Sequence, residues 1–300
     1  MSEARGLPYS RSVWFHLAPP AEVSMGRVRD ALLAVLGDVK VFRWPMWIVY
    51  DPGSYRVKGR DMRAVIERVR PGDVLVRGFD AYLDGKLIPG LFSHVGLFLG
   101  RTGEVDRAAA PPEHREGFAV GEQTVIHAIA EGVVTEDVLD FCRCDRLAVL
   151  RFPAQLRARP GAPPDDPRAL GEQERALRDR LVAGGDVAFE EAWPVVRREA
   201  LAQVGVEYDF DLDFRDLRRL SCTELVHRAT RCLAPFLGVQ PRRHRILGIS
   251  GVGIVPDAFV RAPLELVCAS HSVDAARLGA LRPAEPREGI ERGLGTTAAA

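Results

Sequence analysis

Residues 93–100 read Ser-His-Val-Gly-Leu-Phe-Leu-Gly, an apolar run that opens with a histidine and follows a turn at Gly90. The run predicts a buried β-strand over His94–Leu99. Similar signals predict further strands over Asp73–Arg77, Thr124–Ala130 and Arg146–Phe152. The strands cluster in the first half of the chain and helices flank them without regular alternation. This pattern predicts an α+β fold with an antiparallel sheet.

Helical spacing of apolar residues recurs mainly in the second half of the chain. Helices are predicted over Asp61–Arg70, Arg168–Val182, Val187–Val204 and Cys222–Leu237. The third of these is expected to break or kink near Pro194. The polar segment 101–123 exceeds an ordinary hairpin loop, so we expect it to be either disordered or functional.

Composition excludes several classes of protein. The 300 residues are 47% hydrophobic and 27% charged, and the formal net charge is zero. This balance argues against a nucleic-acid binder that relies on a cationic field. The N-terminus has no signal-like apolar run, and no apolar stretch is long enough to span a membrane. With an odd number of cysteines, five, we expect reduced thiols and a cytoplasmic protein without an integral membrane segment.

The tetrapeptide Ser221-Cys222-Thr223-Glu224 is typical of a capping box at the start of a helix. Ser221 would be the N-cap and Cys222 the first helical residue. Unpaired backbone N–H groups and the helix dipole favour a thiolate at this position, so we expect a lowered thiol pKa. The same N–H groups could stabilise an oxyanion when a carbonyl is attacked.

A thiolate nucleophile needs a base beside it and a third group to orient that base. His94 and His127 stand on successive predicted strands, where side chains on one face can come into contact. Taken singly, each residue also fits a structural role. Cys222 shares a helical face with apolar residues, and either histidine could be a satisfied core or edge residue.

Four short segments together resemble the NlpC/P60 papain-like cysteine peptidases, at Pro71–Leu75, Ser93–Gly100, Val125–Ala128 and Ser221–Val226. In ordinary members the cysteine precedes the histidine, whereas here the histidine comes first. That order resembles the circularly permuted YaeF/YiiX-like branch, which is related more distantly to lecithin retinol acyltransferase-like proteins. Residues 208–210 and 255–257 also resemble this branch. The similarity covers roughly residues 70–265.

The resemblance implies a permuted papain-like fold, with an antiparallel sheet or small barrel flanked by helices. It implies that Cys222 is the nucleophile, that His94 is its base and that His127 orients His94. Tyr208 and Ser221 would contribute to the oxyanion or substrate site. His127 departs from the permuted branch, where glutamate is frequent at the third position, and matches the ordinary enzymes instead.

On this basis we expect three regions along the chain. Residues 1–70 would be a helical or irregular N-terminal extension, 71–276 the catalytic domain and 277–300 a disordered tail. Insertions into the catalytic domain are expected near 101–123 and 153–185.

The function expected from the resemblance is that of a cysteine amidohydrolase or peptidase. It would cleave an amide or ester through a thioester acyl-enzyme, on a small-molecule, peptide or lipid amide substrate. The alternatives are an acyl-chain or peptide binding protein on the same fold, a lecithin retinol acyltransferase-like enzyme, or an interaction protein. The oligomeric state stays open.

Three other groups of residues have an ordinary structural explanation. Cys142 and Cys144 lack the second ligand pair of a zinc site, so packing on one strand face is the preferred interpretation. Residues 209–220 lack the glycine and the closing glutamate of a calcium loop. The cationic cluster at 242–245 could meet an anionic substrate but is typical of a solvated surface. The sequence therefore predicts no metal and no cofactor.

Overall fold

The predicted strands are all present and belong to one sheet. The protein is described by a computed structural model over residues 55–80, 88–160, 170–211, 218–246 and 249–282. Its strands are β1 (Val74–Gly78), β2 (His94–Thr102), β3 (Gly121–Ile129), β4 (Gly132–Asp137), β5 (Arg146–Arg151), β6 (Gln155–Leu156), β7 (Val187–Ala188), β8 (Arg242–Ile246), β9 (Ile249–Gly253) and β10 (Glu265–Ala269). Its helices are α1 (Gly59–Arg68), α2 (Glu104–Ala109), α3 (Val138–Phe141), α4 (Glu172–Val182), α5 (Phe189–Leu201), α6 (Cys222–Ala229), α7 (Ala234–Leu237), α8 (Asp257–Val260) and α9 (Ala275–Leu281), with 3-10 turns at Pro112–Gly117 and Arg231–Leu233.

Six strands pair in the order β10-β5-β1-β2-β3-β4, and every neighbouring pair is antiparallel. The remaining strands form two small ribbons, β6–β7 and β8–β9. The expected α+β architecture, an antiparallel sheet flanked by helices, is therefore confirmed. The edge strands β4 and β10 are the two members of the sheet that the sequence did not predict.

The two faces of the sheet bury separate apolar clusters, because successive side chains of a strand point to opposite faces. Val95 and Leu97 of β2 belong to the cluster that also contains the apolar side chains of α4 to α7. Phe98 of β2 belongs to the other cluster, together with Phe141 of α3 and residues of α1. Helix α6 packs on β2 and β3.

Three predicted segments differ from expectation. Helix α5 continues through Pro194 without the expected break. The predicted helix Cys222–Leu237 is divided into α6, the turn Arg231–Leu233 and α7. Residues 101–123 are ordered, because they contain the end of β2, α2, the turn Pro112–Gly117 and the start of β3.

The chain that leads into β2 is fixed by a distant carboxylate. Asp257, at the start of α8, is 2% exposed and accepts the backbone N–H groups of Leu91 at 2.8 Å and Phe92 at 2.9 Å. Gly90 has φ +140°, and a Cβ there would lie 2.6 Å from an Asp257 carboxylate oxygen. Glycine is therefore required where the loop meets Asp257, and the loop is held directly before His94.

The start of β1 is held by a second buried carboxylate. Asp73 is 1% exposed, and Arg151 of β5 binds both its oxygens, at 2.8 and 2.7 Å. Asp73 also accepts the Arg70 N–H, closing the turn that contains Pro71 and Gly72. The segment Pro71–Leu75 therefore leads from the end of α1 into β1 and anchors the sheet.

The described residues include only part of the expected N-terminal extension, 1–70, and of the expected tail, 277–300. Helix α9 extends past residue 276, and its Leu278 is buried. Expectations for residues before 55 and after 282 lie outside the described residues. None of the helices within the described ranges is long and apolar enough to cross a membrane.

Candidate active site

The two histidines singled out from the sequence are in direct contact. His94 begins β2 and His127 lies near the end of β3, and His94 Nε2 is 2.8 Å from His127 Nδ1. The rings meet edge to face, with centroids 5.1 Å apart, and both contact the ring of Phe141. Contact between side chains on neighbouring strands brings these residues together, as expected from their alternation.

Beyond His127 the contacts continue to a carboxylate and a guanidinium. His127 Nε2 lies 3.0 Å from Glu136 Oε1 on β4, close in distance although the ring N–H is not well aligned with that oxygen. Arg77 Nη1 lies 3.5 Å from the same Glu136 oxygen and donates to the Phe141 carbonyl at 2.9 Å. The Arg77 guanidinium also covers the Phe141 ring, 4.2 Å from its centroid. The four polar side chains come from the adjacent strands β1 to β4 and form one row of contacts, from His94 through His127 and Glu136 to Arg77.

Both imidazoles are held neutral at physiological pH. Burial, followed by the charge of Arg77 and the electrostatic coupling to His127, keeps the pKa of His94 well below its ordinary 6.5. Burial also lowers the pKa of His127, and Arg77 adds to this effect while Glu136 opposes it. Burial works against ionisation of Glu136, but His127 and Arg77 outweigh it and lower the Glu136 pKa. The row therefore consists of a carboxylate, a guanidinium and two uncharged rings.

The predicted capping box is present at the start of α6. Ser221 Oγ accepts the Glu224 N–H at 3.4 Å, and a Glu224 carboxylate oxygen accepts the Ser221 N–H at 2.7 Å. Cys222 is consequently the first residue of the helix, with its sulfur among the unpaired N–H groups of the first turn. Ser221 lies at the predicted site, but its hydroxyl is engaged in the cap.

The Cys222 sulfur approaches the sheet where β2 and β3 separate. The β2–β3 ladder begins at the pair Leu97–Ile126, so Val95 lies before the part of β2 that pairs with β3. The backbone N–H groups of Val95 and Thr223 face the Cys222 sulfur and stabilise its anion. The Val95 nitrogen belongs to the peptide group that joins it to His94. The sulfur is therefore beside the backbone of the residue that carries the first imidazole.

The expected lowering of the Cys222 thiol pKa is wrong for the resting protein. Burial raises this pKa to about 11, and the Val95 and Thr223 amides and Arg77 only partly oppose the rise. Cys222 is 5% exposed, and removal of water from the thiolate outweighs the helix N-terminus. The resting site therefore holds a protonated Cys222 thiol and a neutral His94 imidazole. The hydrogen bonds of the described residues join His94 to His127 and do not join His94 to Cys222.

Tyr208 lies alongside the start of α6. A parallel bridge pairs Glu207 with Arg219, and the Leu220 N–H donates to the Glu207 carbonyl at 2.9 Å. The Tyr208 ring packs on the apolar cluster that contains Cys222 and lies 4.9 Å from the ring of Phe210. The pairing of Glu207 with Arg219 and Leu220 thus brings the predicted Tyr208 to the segment that precedes the nucleophile candidate.

The remaining thiols have no comparable surroundings. Cys142 and Cys144 are buried in the apolar cluster around Phe141, and burial raises the Cys142 pKa to about 12. Cys232 is also buried, with its pKa raised to about 12 by desolvation. Within the described residues, no group of three or more His, Cys, Asp or Glu side chains is arranged to hold a metal ion.

Glu136 and Arg77 were not found by sequence reasoning. Glu136 is on β4, which was not predicted, although Gly132 (φ +109°) and the following apolar residues are signs of a hairpin. Arg77 was included in a predicted strand but was not assigned a role. Only the pairing of strands β1 to β4 places the charges of Glu136 and Arg77 next to the histidines.

Comparison with known proteins adds little to this geometry. No protein family and no curated protein matches the sequence. A solved structure described as metalloprotein yiiX from Escherichia coli O157:H7 is similar, with 14% identity over 67% of this chain and 97% of that chain, at a TM-score of 0.39.

Proposed function

We propose that this protein is a cysteine-dependent amidohydrolase with a circularly permuted papain-like fold of the NlpC/P60 type. It would cleave an amide or ester through a thioester acyl-enzyme. One observation carries the proposal: a row of contacts runs from Glu136 through His127 to His94, and the peptide group after His94 faces the Cys222 sulfur at a capped helix start. Residues 71–276 would be the catalytic domain.

The first half-reaction starts from the neutral pair of thiol and imidazole. As the Cys222 sulfur attacks the carbonyl carbon, the thiol proton passes to His94, so a free thiolate need not accumulate despite the raised pKa. The C–N or C–O bond of the tetrahedral intermediate then breaks. The leaving amine or alcohol takes the proton from His94, and the acyl group remains on sulfur as a thioester.

The developing oxyanion would be stabilised by backbone dipoles. The first N–H groups of α6 have no carbonyl partner within the helix, and they surround the sulfur at its N-terminus. The backbone N–H of Cys222 is the first donor in this proposal. Tyr208, held beside the start of α6, is the second.

In the second half-reaction, water attacks the thioester while His94 accepts its proton. The thiol is regenerated and a carboxylic acid leaves. An amine or alcohol in place of water would make the same site an acyltransferase. All five cysteines are unpaired, which supports the proposal that the protein works in a reducing compartment such as the cytoplasm.

The acyl-enzyme provides the direct test. The full chain is incubated with p-nitrophenyl acetate, p-nitrophenyl octanoate or an acetyl-dipeptide p-nitroanilide, quenched in acid and mapped by mass spectrometry. We expect an acyl adduct on Cys222 that hydroxylamine removes, and turnover that falls by about 1,000-fold or more in Cys222→Ser. Cys232→Ser is the matched control, since Cys232 is also buried near α6, and it should keep full activity. Loss of turnover in both variants, or an adduct elsewhere, would contradict the assignment.

The buried, protonated thiol also favours a second candidate, a protein that binds an acyl chain or peptide without turning it over. This function would give saturable binding of octanoate or acetyl-dipeptide amide, with the same affinity in wild type and Cys222→Ser and no adduct on Cys222. Adduct formation on Cys222 decides for the hydrolase.

A further inference from the structure

The row of polar side chains beyond His127 imposes one arrangement of protons. An ionised carboxylate can only accept hydrogen bonds, and Glu136 is held ionised by His127 and Arg77. The nitrogen that faces it, His127 Nε2, therefore carries the hydrogen. A neutral imidazole has a single N–H, so His127 Nδ1 has a free lone pair.

The tautomer of His127 in turn determines that of His94. His127 Nδ1, as an acceptor, requires its partner at 2.8 Å, His94 Nε2, to donate. The neutral His94 ring then has its only hydrogen on Nε2. His94 Nδ1 makes no protein hydrogen bond in the described part of the chain, and the His94 side chain is partly exposed. It is the one ring nitrogen of the pair that is both unprotonated and unused.

We propose that Glu136 is a positioning residue that fixes the tautomer of His127, and through it makes Nδ1 of His94 the free basic nitrogen. Arg77 holds Glu136 in place, because it is anchored on the Phe141 carbonyl and ring and reaches the Glu136 carboxylate. The inference rests on the proposed function only in naming His94 as the base. The tautomers themselves exist without a substrate.

The alternative arrangement of protons would remove the free basic nitrogen of His94. A hydrogen on His127 Nδ1 would donate to His94 Nε2 and place the hydrogen of His94 on Nδ1. His94 would then have no free nitrogen for the thiol proton. A partner that can donate as well as accept, such as glutamine, would permit this second arrangement, whereas a carboxylate excludes it.

Histidine tautomers can be measured directly in the wild-type protein. The full chain is labelled with 15N-histidine, and long-range 15N–1H spectra are recorded at pH 7, with His94 and His127 assigned by single substitution. We expect both rings as neutral Nε2–H tautomers. A hydrogen on Nδ1 of either ring overturns the proposal, and this experiment needs no folded variant and no substrate.

The variant Glu136→Gln tests whether Glu136 sets the tautomer of His127. It keeps the shape of the side chain and an acceptor for Arg77. We expect a second tautomer of His127 to appear, with kcat reduced by about 10- to 100-fold and KM changed less than about 2-fold. The matched control is Glu131→Gln, an exposed glutamate in the β3–β4 turn, which should change neither the spectrum nor kcat.

The outcomes separate this inference from the proposed function. Wild-type tautomers as expected, together with no acyl adduct on Cys222, would uphold the role of Glu136 and reject the hydrolase. An acyl adduct together with unchanged tautomers and full activity in Glu136→Gln would uphold the hydrolase and reject the role of Glu136.

Discussion

The carboxylate of Asp257 holds the backbone N–H of Leu91 at 2.8 Å, although α8 and the loop before β2 are far apart in the sequence. The contact lies three residues before His94. The acid of Asp257 therefore fixes the entry to the strand that carries the proposed base.

Removal of this acid should be strongly destabilising. In Asp257→Ala the N–H groups of Leu91 and Phe92 stay buried without an acceptor, which we expect to cost about 2 to 5 kcal/mol in the free energy of unfolding, measured in urea. Asp274→Ala is the matched control. Asp274 also accepts two backbone N–H groups, but at the exposed start of α9, so its loss should be much smaller. Equal losses would contradict this account.

The pair Asp73–Arg151 provides a second comparison between buried and exposed charges. In Arg151→Met the buried carboxylate of Asp73 loses its bidentate partner, and we expect a loss of about 3 to 5 kcal/mol in the free energy of unfolding. The double variant Asp73→Asn/Arg151→Met should recover part of that loss.

The control is Arg157→Met. Arg157 also binds both oxygens of an aspartate, Asp186, but the pair is exposed and should leave the urea midpoint almost unchanged. A large effect at Arg157, or no effect at Arg151, would show that burial does not set the strength of these pairs.

Three histidines with lowered pKa values predict loss of stability in acid. Burial and the charge of Arg231 lower the pKa of His227 to about 4. Below its ordinary 6.5 the unfolded chain takes up a proton that the folded state resists, so stability falls as the pH drops from 6.5 toward 4. His94 and His127 act in the same direction.

For His227 the shift corresponds to roughly 3 kcal/mol. Urea unfolding at pH 7 and pH 4 should show His227→Gln losing less stability than wild type by about that amount. Parallel pH dependence in the two proteins would show that His227 is not held neutral in the folded state.

Thiol labelling should follow exposure in the resting protein. Cys268 is partly exposed, whereas Cys222 is 5% exposed with a pKa raised to about 11 by burial. We expect iodoacetamide at pH 7 to modify Cys268 first, and Cys268→Ser to lose this rapid phase, as followed by peptide mass mapping. Preferential labelling of Cys222 at pH 6 would show that its thiolate is more stable than its burial implies.

Local patterns predicted much of this architecture. The strand around His94 and the capping box at Ser221 depend on residues close in sequence, and both are present. The strand β4 was missed because Thr135, Glu136 and Asp137 interrupt its apolar signal. At an edge of the sheet this polarity is tolerated, since one side of the strand is unpaired.

The candidate site was predictable only in part. Proximity of His94 and His127 follows from alternation on neighbouring strands, but the contribution of Arg77 requires the register of β1 against β2. The pKa of Cys222 could not be read from the capping box. Local dipoles favour the thiolate, whereas tertiary packing removes water from it, and packing has the larger effect.

The order of β2, β3, β4 and α6 along the chain also affects how the protein folds during its synthesis. The antiparallel pairs β2–β3 and β3–β4 assemble His94, His127 and Glu136 from one continuous stretch of chain, and pairings of low sequence separation favour rapid folding. Cys222 is synthesised later, on helix α6, after β5, α4 and α5. During translation, the ribosome would therefore synthesise the proposed base, His94, well before the proposed nucleophile, Cys222.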